Sequence, residues 1–205
     1  MAAGNVETEI KLLVPNLRDV EARLAALGAA LHAPRVFERN ARYDLPDGSL
    51  TAKGVVLRLR QDSRARLTYK EAGTLSDGVM SRFEAEIEVS DFGTMETILL
   101  RLGYVFGFAY EKYRTTYALS GCDVTLDEMP FGAFVEIEGE YASILEVLRT
   151  LQLEKAPRIE MSYAGAFNAL REHFSLPFKD ATFDNFRDIK LDSDLTSILT
   201  RSKRD

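Results

Sequence analysis

Apolar and charged residues alternate with period two along several stretches of this chain, and successive residues of a strand point to opposite faces. The first stretch sets the pattern. Glu7, Glu9 and Lys11 share one face, while Val6, Thr8, Ile10 and Leu12 share the other. The alternation is most regular from Met80 to Val89, where Phe83, Ala85, Ile87 and Val89 oppose Arg82, Glu84, Glu86 and Glu88. The same reading predicts strands over Arg35–Leu45, Val55–Gln61, Arg66–Glu71, Tyr104–Leu119, Asp123–Met129 and Phe134–Glu140, with a loop from Gly73 to Gly78.

Helical spacing lies between these runs. Leu17, Val20, Leu24 and Leu27 repeat at three- and four-residue intervals up to Gly28. Asp91 is placed to cap a helix carrying Phe92, Met95, Leu99 and Leu102 and ending at Gly103, and Ser143 with Glu146 resembles a capping box ahead of Leu148 and Leu151. A last helix is expected from Ser162 to Phe174, stopped by Pro177. Residues 1–175 read as one domain. Residues 176–205 read as a polar, weakly periodic tail, in which Leu195, Ile198 and Leu199 suit either a short docking helix or a mobile segment.

Composition narrows the function. With 205 residues, 46% of them hydrophobic, the chain can bury a core. A net charge of −6 argues against a binder of nucleic-acid duplexes or of anionic membranes. Cys122 is the sole cysteine and His32 and His173 the only histidines, so a disulfide framework and a Cys/His zinc site are excluded and any metal would take oxygen ligands. Glu7 and Glu9 stand where a secretory signal would be basic, and no apolar run approaches membrane-spanning length, so the expectation is a cytoplasmic protein.

The paired charges recur on strand after strand. Arg58 and Arg60 oppose Leu57 and Leu59, Arg66 and Lys70 oppose Leu67 and Tyr69, and Glu136 and Glu138 oppose Val135 and Ile137. Lys112 shares a face with Arg114, and Asp127 opposes Val124 and Leu126. On an open sheet such charges would be solvated, where ion pairs contribute roughly 0–1 kcal/mol. In a closed barrel they would gather in a lumen. Strand number and the removal of exposed edges favour the barrel, an α+β fold with helices on its apolar outside. A lumen of mixed sign suits an anionic ligand complexed with a hard cation, such as a polyphosphate with Mg²⁺ or Mn²⁺.

The ordered set Glu7–Lys11, Leu57–Arg60, Tyr69–Lys70, Arg82–Glu88, Glu111–Arg114, Leu126–Asp127, Gly132–Glu138 and Ser162–Tyr163 resembles the CYTH family, the triphosphate tunnel metalloenzymes, over roughly residues 5 to 172. The resemblance implies a closed eight-stranded antiparallel barrel that acts on a small-molecule triphosphate with Mg²⁺ or Mn²⁺, as a monomer or homodimer. By position it implies that Glu7, Glu9, Glu136 and Glu138 hold metal, with Asp127, Glu84 and Glu86 as further acidic members. Lys11, Arg58, Arg60, Lys70, Arg82, Lys112 and Arg114 become triphosphate contacts, with Lys11, Glu9, Lys70 and Arg60 in the catalytic roles. Many members carry a basic residue directly before the Ser–Tyr pair. Met161 stands there in this chain, with Arg158 as the nearby substitute.

The implied function is a divalent-metal-dependent triphosphatase acting on inorganic triphosphate or on an organic one such as thiamine triphosphate or a nucleoside triphosphate. The alternatives are a class IV adenylate cyclase, which uses the same clamp to release pyrophosphate, and a non-catalytic polyphosphate-binding module. The pairs Glu136/Glu138 and Arg58/Arg60 resemble the hydrolytic members. Glu88 and Arg66 lie near strand ends, where surface and site roles are both open, and Glu111 is on the outward parity.

Overall fold

A computed structural model of the protein describes residues 5–191 and 195–200. Nine strands run through it: β1 (Asn5–Val14), β2 (Ala30–Asp44), β3 (Val56–Gln61), β4 (Ala65–Lys70), β5 (Thr74–Ser76), β6 (Val79–Val89), β7 (Val105–Leu119), β8 (Cys122–Met129) and β9 (Gly132–Glu138). Six helices accompany them: α1 (Arg18–Ala26), α2 (Ser49–Ala52), α3 (Phe92–Arg101), α4 (Tyr141–Thr150), α5 (Tyr163–Phe174) and α6 (Leu195–Leu199).

The strands pair in the order β1-β9-β8-β7-β2-β3-β4-β6-β5, and β6 pairs again with β1. Eight antiparallel strands therefore form a ring, joined by the register Asn5 to Glu84 through Glu9 to Met80. A ring leaves no unpaired edge along its length, and the period of two then sends one set of side chains in and the other out.

The outward set is the apolar one. Ile10, Leu12, Val124, Val135 and Ile137 pack under Val20 and Leu24 of α1 and Ile144, Val147 and Leu148 of α4. On the opposite flank Ala41, Tyr43, Leu57 and Leu59 pack under Leu99 of α3. Helix starts follow local chemistry: the Asn16 Oδ1 accepts from the Asp19 amide at 3.0 Å, Asp91 from the Thr94 amide at 2.7 Å and Ser162 from the Gly165 amide at 3.1 Å.

A third cluster fills part of one end of the ring. Leu13, Tyr110, Met129 and Phe134 have the inward parity, yet they are apolar or aromatic and pack against Tyr163, Ala166, Phe167 and Leu170 of α5. Phe186, Ile198 and Leu199, beyond Pro177, belong to the same cluster. Residues near Ala181 also supplement β7 where β8 does not reach. The Ala181 amide donates to the Ala109 carbonyl, the Glu111 amide donates to the Ala181 carbonyl, and Asp180 accepts from the Ala109 amide.

Three local features differ from the sequence reading. The segment from Gly73 to Gly78 is not a plain loop: Ser76 pairs with Val79 across the two-residue turn Asp77–Gly78, both with positive φ (50° and 77°), the geometry that matches strand twist in a tight hairpin. Helix α4 begins at Tyr141, so Ser143 sits inside its first turn, and extended Glu140 takes the cap position without a side-chain bond. Strand β2 starts at Ala30, five residues early, carried by irregular pairing with β7 between Leu31 and Val36.

Phe167 is fully buried and meets the rings of Phe108, Phe131, Phe178 and Phe186. Phe167→Ala is expected to cost about 3–5 kcal/mol through lost burial and a cavity, read as a lower urea midpoint with an unchanged slope.

Candidate active site

The inward set is ionic, and each charge is placed by cross-strand register. Directly paired residues share a face, so Lys11 meets Glu136, Lys70 meets Glu84 and Arg114 meets Asp127. All of these except Asp127 line a cavity of about 340 Å³. The expected basic residues Lys11, Arg58, Arg60, Lys70, Arg82, Lys112 and Arg114 all face it, as do Glu7, Glu9, Glu84, Glu86, Glu136 and Glu138.

On the β1, β4 and β6 wall the Lys70 Nζ lies 2.7 Å from Glu7 and 2.5 Å from Glu84, and Arg82 reaches Glu7 at 3.2 Å and Glu9 at 3.0 Å. On the next wall Arg60 pairs with Glu86 at 2.9 Å, and Thr68 donates to the same carboxylate at 2.8 Å. Arg58 donates to the Thr68 hydroxyl at 3.2 Å. Across the lumen the Lys112 Nζ lies 3.0 Å from Asp127, Arg114 donates to Asp127 at 2.6 Å and also pairs with Glu136, and Lys11 lies 3.2 Å from Glu136.

Asp127 differs from its expected neighbours. It is completely buried, lies behind the lining, and accepts from Lys112, Arg114 and, at 2.7 Å, the Tyr163 hydroxyl. A carboxylate so fully engaged orients the clamp rather than presenting free oxygen to the cavity. Tyr163, known from the sequence only as part of a motif, also places its ring 4.5 Å from the Lys11 Nζ. Burial, then the charges of Asp127 and Glu136, raise the Tyr163 pKa, so the phenol keeps the proton it donates.

Several inward-facing residues of β2 lie outside the expected set. Glu38 and Asn40 on β2 point inward opposite Lys112 and Tyr110, and Arg42 on the same face lines the cavity. Glu38 is 2% exposed and lies 3.5 Å from Lys112 and 3.7 Å from Arg60. Arg66 pairs with Asp62, and Glu88 pairs with Arg64 at 3.1 Å in solvent, so neither lines the cavity. Arg158 donates to the Asp77 carbonyl and tethers the β5–β6 turn, leaving Met161 at the cavity wall.

The electrostatic balance varies around the lumen. Glu136 is held well below the ordinary range because Lys11, Arg114 and Lys112 outweigh its burial. Burial raises both half-buried carboxyls of Glu7 and Glu84; the contact with Glu84 and the charges of Lys70 and Arg82 outweigh it and lower Glu7, while the contact with Glu7 adds to it and raises Glu84. Glu138, exposed at the rim, forms no ion pair among the described residues, and partial burial followed by repulsion from Glu7 and Glu9 pushes it up to about 7. Among the described residues no three acidic, His or Cys side chains stand together as a ready metal cage, since Lys70 and Arg82 occupy the spaces between carboxylates. The donors are nonetheless all oxygen and locally in excess of positive charge around Glu138, which fits a hard divalent cation.

The family model described as the CYTH domain matches residues 5–163. No curated protein matches the chain. Among solved structures, a protein from Pyrococcus horikoshii is 25% identical over 77% of this chain and 96% of its own, with a TM-score of 0.65. A candidate adenylate cyclase from Vibrio parahaemolyticus is 20% identical over 78% of this chain and 96% of its own, with a TM-score of 0.69. A candidate adenylyl cyclase from Hippeastrum, described as having a dominant triphosphatase activity, is 22% identical over 82% of this chain and 96% of its own, with a TM-score of 0.59. The last two likenesses concern the fold. No helix among the described residues is long and apolar enough to cross a membrane.

Burial disfavours the Glu38 carboxylate, but Lys112, Arg114 and Arg60 outweigh it and hold the group down to about 2. A lowered pKa stabilises the fold at pH above the ordinary carboxylate value of 4.5 and is lost as pH falls from there towards 2. Glu38→Gln should therefore cost about 3 kcal/mol at pH 7, where it strands buried cations. That difference should shrink steadily between pH 4.5 and pH 2, as followed by chemical denaturation across that range.

Proposed function

The chain belongs to the CYTH family, and from that membership we propose that it is a divalent-metal-dependent triphosphatase. Its substrate on this reading is inorganic triphosphate or an organic triphosphate such as a nucleoside or thiamine ester. One observation carries the reading: all seven expected basic residues face the same cavity as six of the expected carboxylates, each set within ion-pair reach of the other. A non-catalytic phosphate binder would need only the basic set.

In the proposed mechanism Lys11, Arg58, Arg60, Lys70, Arg82, Lys112 and Arg114 hold the phosphate oxygens in line, and positioning with charge neutralisation lowers the barrier. Glu7, Glu9, Glu84, Glu86, Glu136 and Glu138 supply the oxygens that would hold Mg²⁺ or Mn²⁺. A bound divalent ion would neutralise phosphate charge and lower the pKa of water. Glu9 also orients the attacking water, while Lys11, Lys70 and Arg60 offset the negative charge that builds on the transferred phosphoryl group. Asp127, together with Tyr163, fixes Lys112 and Arg114 so that their N–H groups stay aimed at the lumen. We assign this chemistry to a domain of residues 1–175, with residues 176–205 as an appended segment.

Purified protein with Mg²⁺ or Mn²⁺ should release orthophosphate from tripolyphosphate, ATP or thiamine triphosphate. Cyclic AMP and pyrophosphate from ATP, without orthophosphate, would establish the cyclase instead. Lys70→Ala and Glu9→Gln should each lower kcat by about a hundredfold or more while circular dichroism stays unchanged. Full activity in both variants would place the chemistry elsewhere.

A further inference from the structure

Resting on the triphosphatase reading, we propose that Arg42 is a specificity-determining residue that receives an unesterified phosphate at the outer end of the substrate. The chain would therefore favour inorganic triphosphate over nucleoside and thiamine esters.

Position comes first. Arg42 lies two residues from the end of β2 on the inward face, in register with Arg58 on β3 and Phe108 on β7. This is the end of the ring where β3 begins at Val56 and β4 ends at Lys70. Val56 and Leu75 line the cavity as Arg42 does, and the half-buried arginine lies in the cavity wall towards that end.

Charge comes second. Each of the other basic residues lining the cavity already has a carboxylate partner, so an arriving anion must compete with it. Arg42 forms no ion pair among the described residues; its guanidinium is 5.9 Å from the Phe108 ring centroid. Burial disfavours its cationic form, and the charges of Arg58 and Arg82 add to that, so that together they outweigh the favourable influence of Tyr110 and Asp44; arginine has no accessible neutral form at working pH. An anion placed there relieves both effects without breaking a pair.

A second group points the same way. Asn40, two residues earlier on the same face, is fully buried, and neither its amide nitrogen nor its oxygen has a hydrogen-bond partner among the described residues. It stands between Arg60 and Tyr110 in register, behind the cavity lining, where its amide offers a donor to a water that bridges to a phosphate oxygen. A free terminal phosphate supplies the negative charge that Arg42 lacks. An ester held with its esterified phosphate at that end puts a neutral nucleoside or a cationic thiamine there, which leaves the guanidinium uncompensated or repelled.

The test is calorimetric binding of tripolyphosphate and of ATP to the whole chain in EDTA, so that affinity is read without turnover. Arg42→Gln should weaken tripolyphosphate by about tenfold or more, equivalent to about 1.4 kcal/mol, and ATP by less than about threefold. Arg42→Lys, which keeps the charge, should recover part of the loss and guards against a folding defect in the glutamine variant. With Mg²⁺ or Mn²⁺ the loss should appear in KM for tripolyphosphate, with kcat held. An unchanged tripolyphosphate affinity, or an equal loss for both ligands, overturns the proposal. Wild-type protein that hydrolyses neither ligand would remove the triphosphatase reading, while the two affinities would still decide the role of Arg42.

Discussion

Burying a charge is costly unless an opposite charge lies within reach, and that constraint organises this molecule. The ring of eight strands turns a whole face of alternating residues inward, away from bulk water. Ionic side chains survive there because register sets them in opposed rows. Lys11 faces Glu136, Lys70 faces Glu84, and Arg114 faces Asp127. A one-residue slip in any of these pairings would drive leucines and valines inward and charges under the helices, so the ionic interior also specifies the register. The apolar exterior under α1, α3 and α4 is the other half of the same alternation.

Much of this was legible from period alone. Where one strand face is uniformly apolar and the other charged, as at Glu7–Lys11 or Arg82–Glu88, parity states what goes in and what goes out, and the structure follows it. Parity cannot state depth. Asp127 has the same inward parity as its neighbours, yet it sits behind them with its oxygens taken by Lys112, Arg114 and Tyr163, because α5 packs over that end of the ring. The switch from ionic to apolar along a single face, from Lys11 to Leu13 and from Glu136 to Phe134, likewise depends on where α5 lands.

The inward face of β2 went unread for a different reason. Its apolar residues are irregularly spaced, and mismatched pairing with β7 shifts the phase before Val36. Glu38, Asn40 and Arg42 therefore looked like ordinary polar residues of a mixed strand. The contribution of Phe186, Ile198 and Leu199 to the core is comparably hidden, since a few apolar residues spread over a polar segment carry no period. Their burial comes from a surface supplied by α5.

A cavity whose charges are already paired binds by exchange. When phosphate takes Lys70, the ammonium leaves Glu7 and Glu84, and those carboxylates become available to a cation at the same moment. On the proposed reading, phosphate and metal therefore assist each other's entry, because each releases the partner that the other needs. The net gain from such exchanges is small, since one charge-assisted contact replaces another. The groups that stand outside the pairing then weigh most in what the cavity selects. Among the described residues Glu138 is a carboxylate without a cation partner where β9 ends, and Arg42 is a guanidinium without an ion-pair partner near the end of β2. In an antiparallel ring whose β7 and β8 separate them, those strand ends lie at opposite ends of the lumen. On the proposed reading, the paired interior supplies affinity for a metal–phosphate complex in either sense, and Glu138 and Arg42 give it direction, with cation towards Glu138 and free anion towards Arg42.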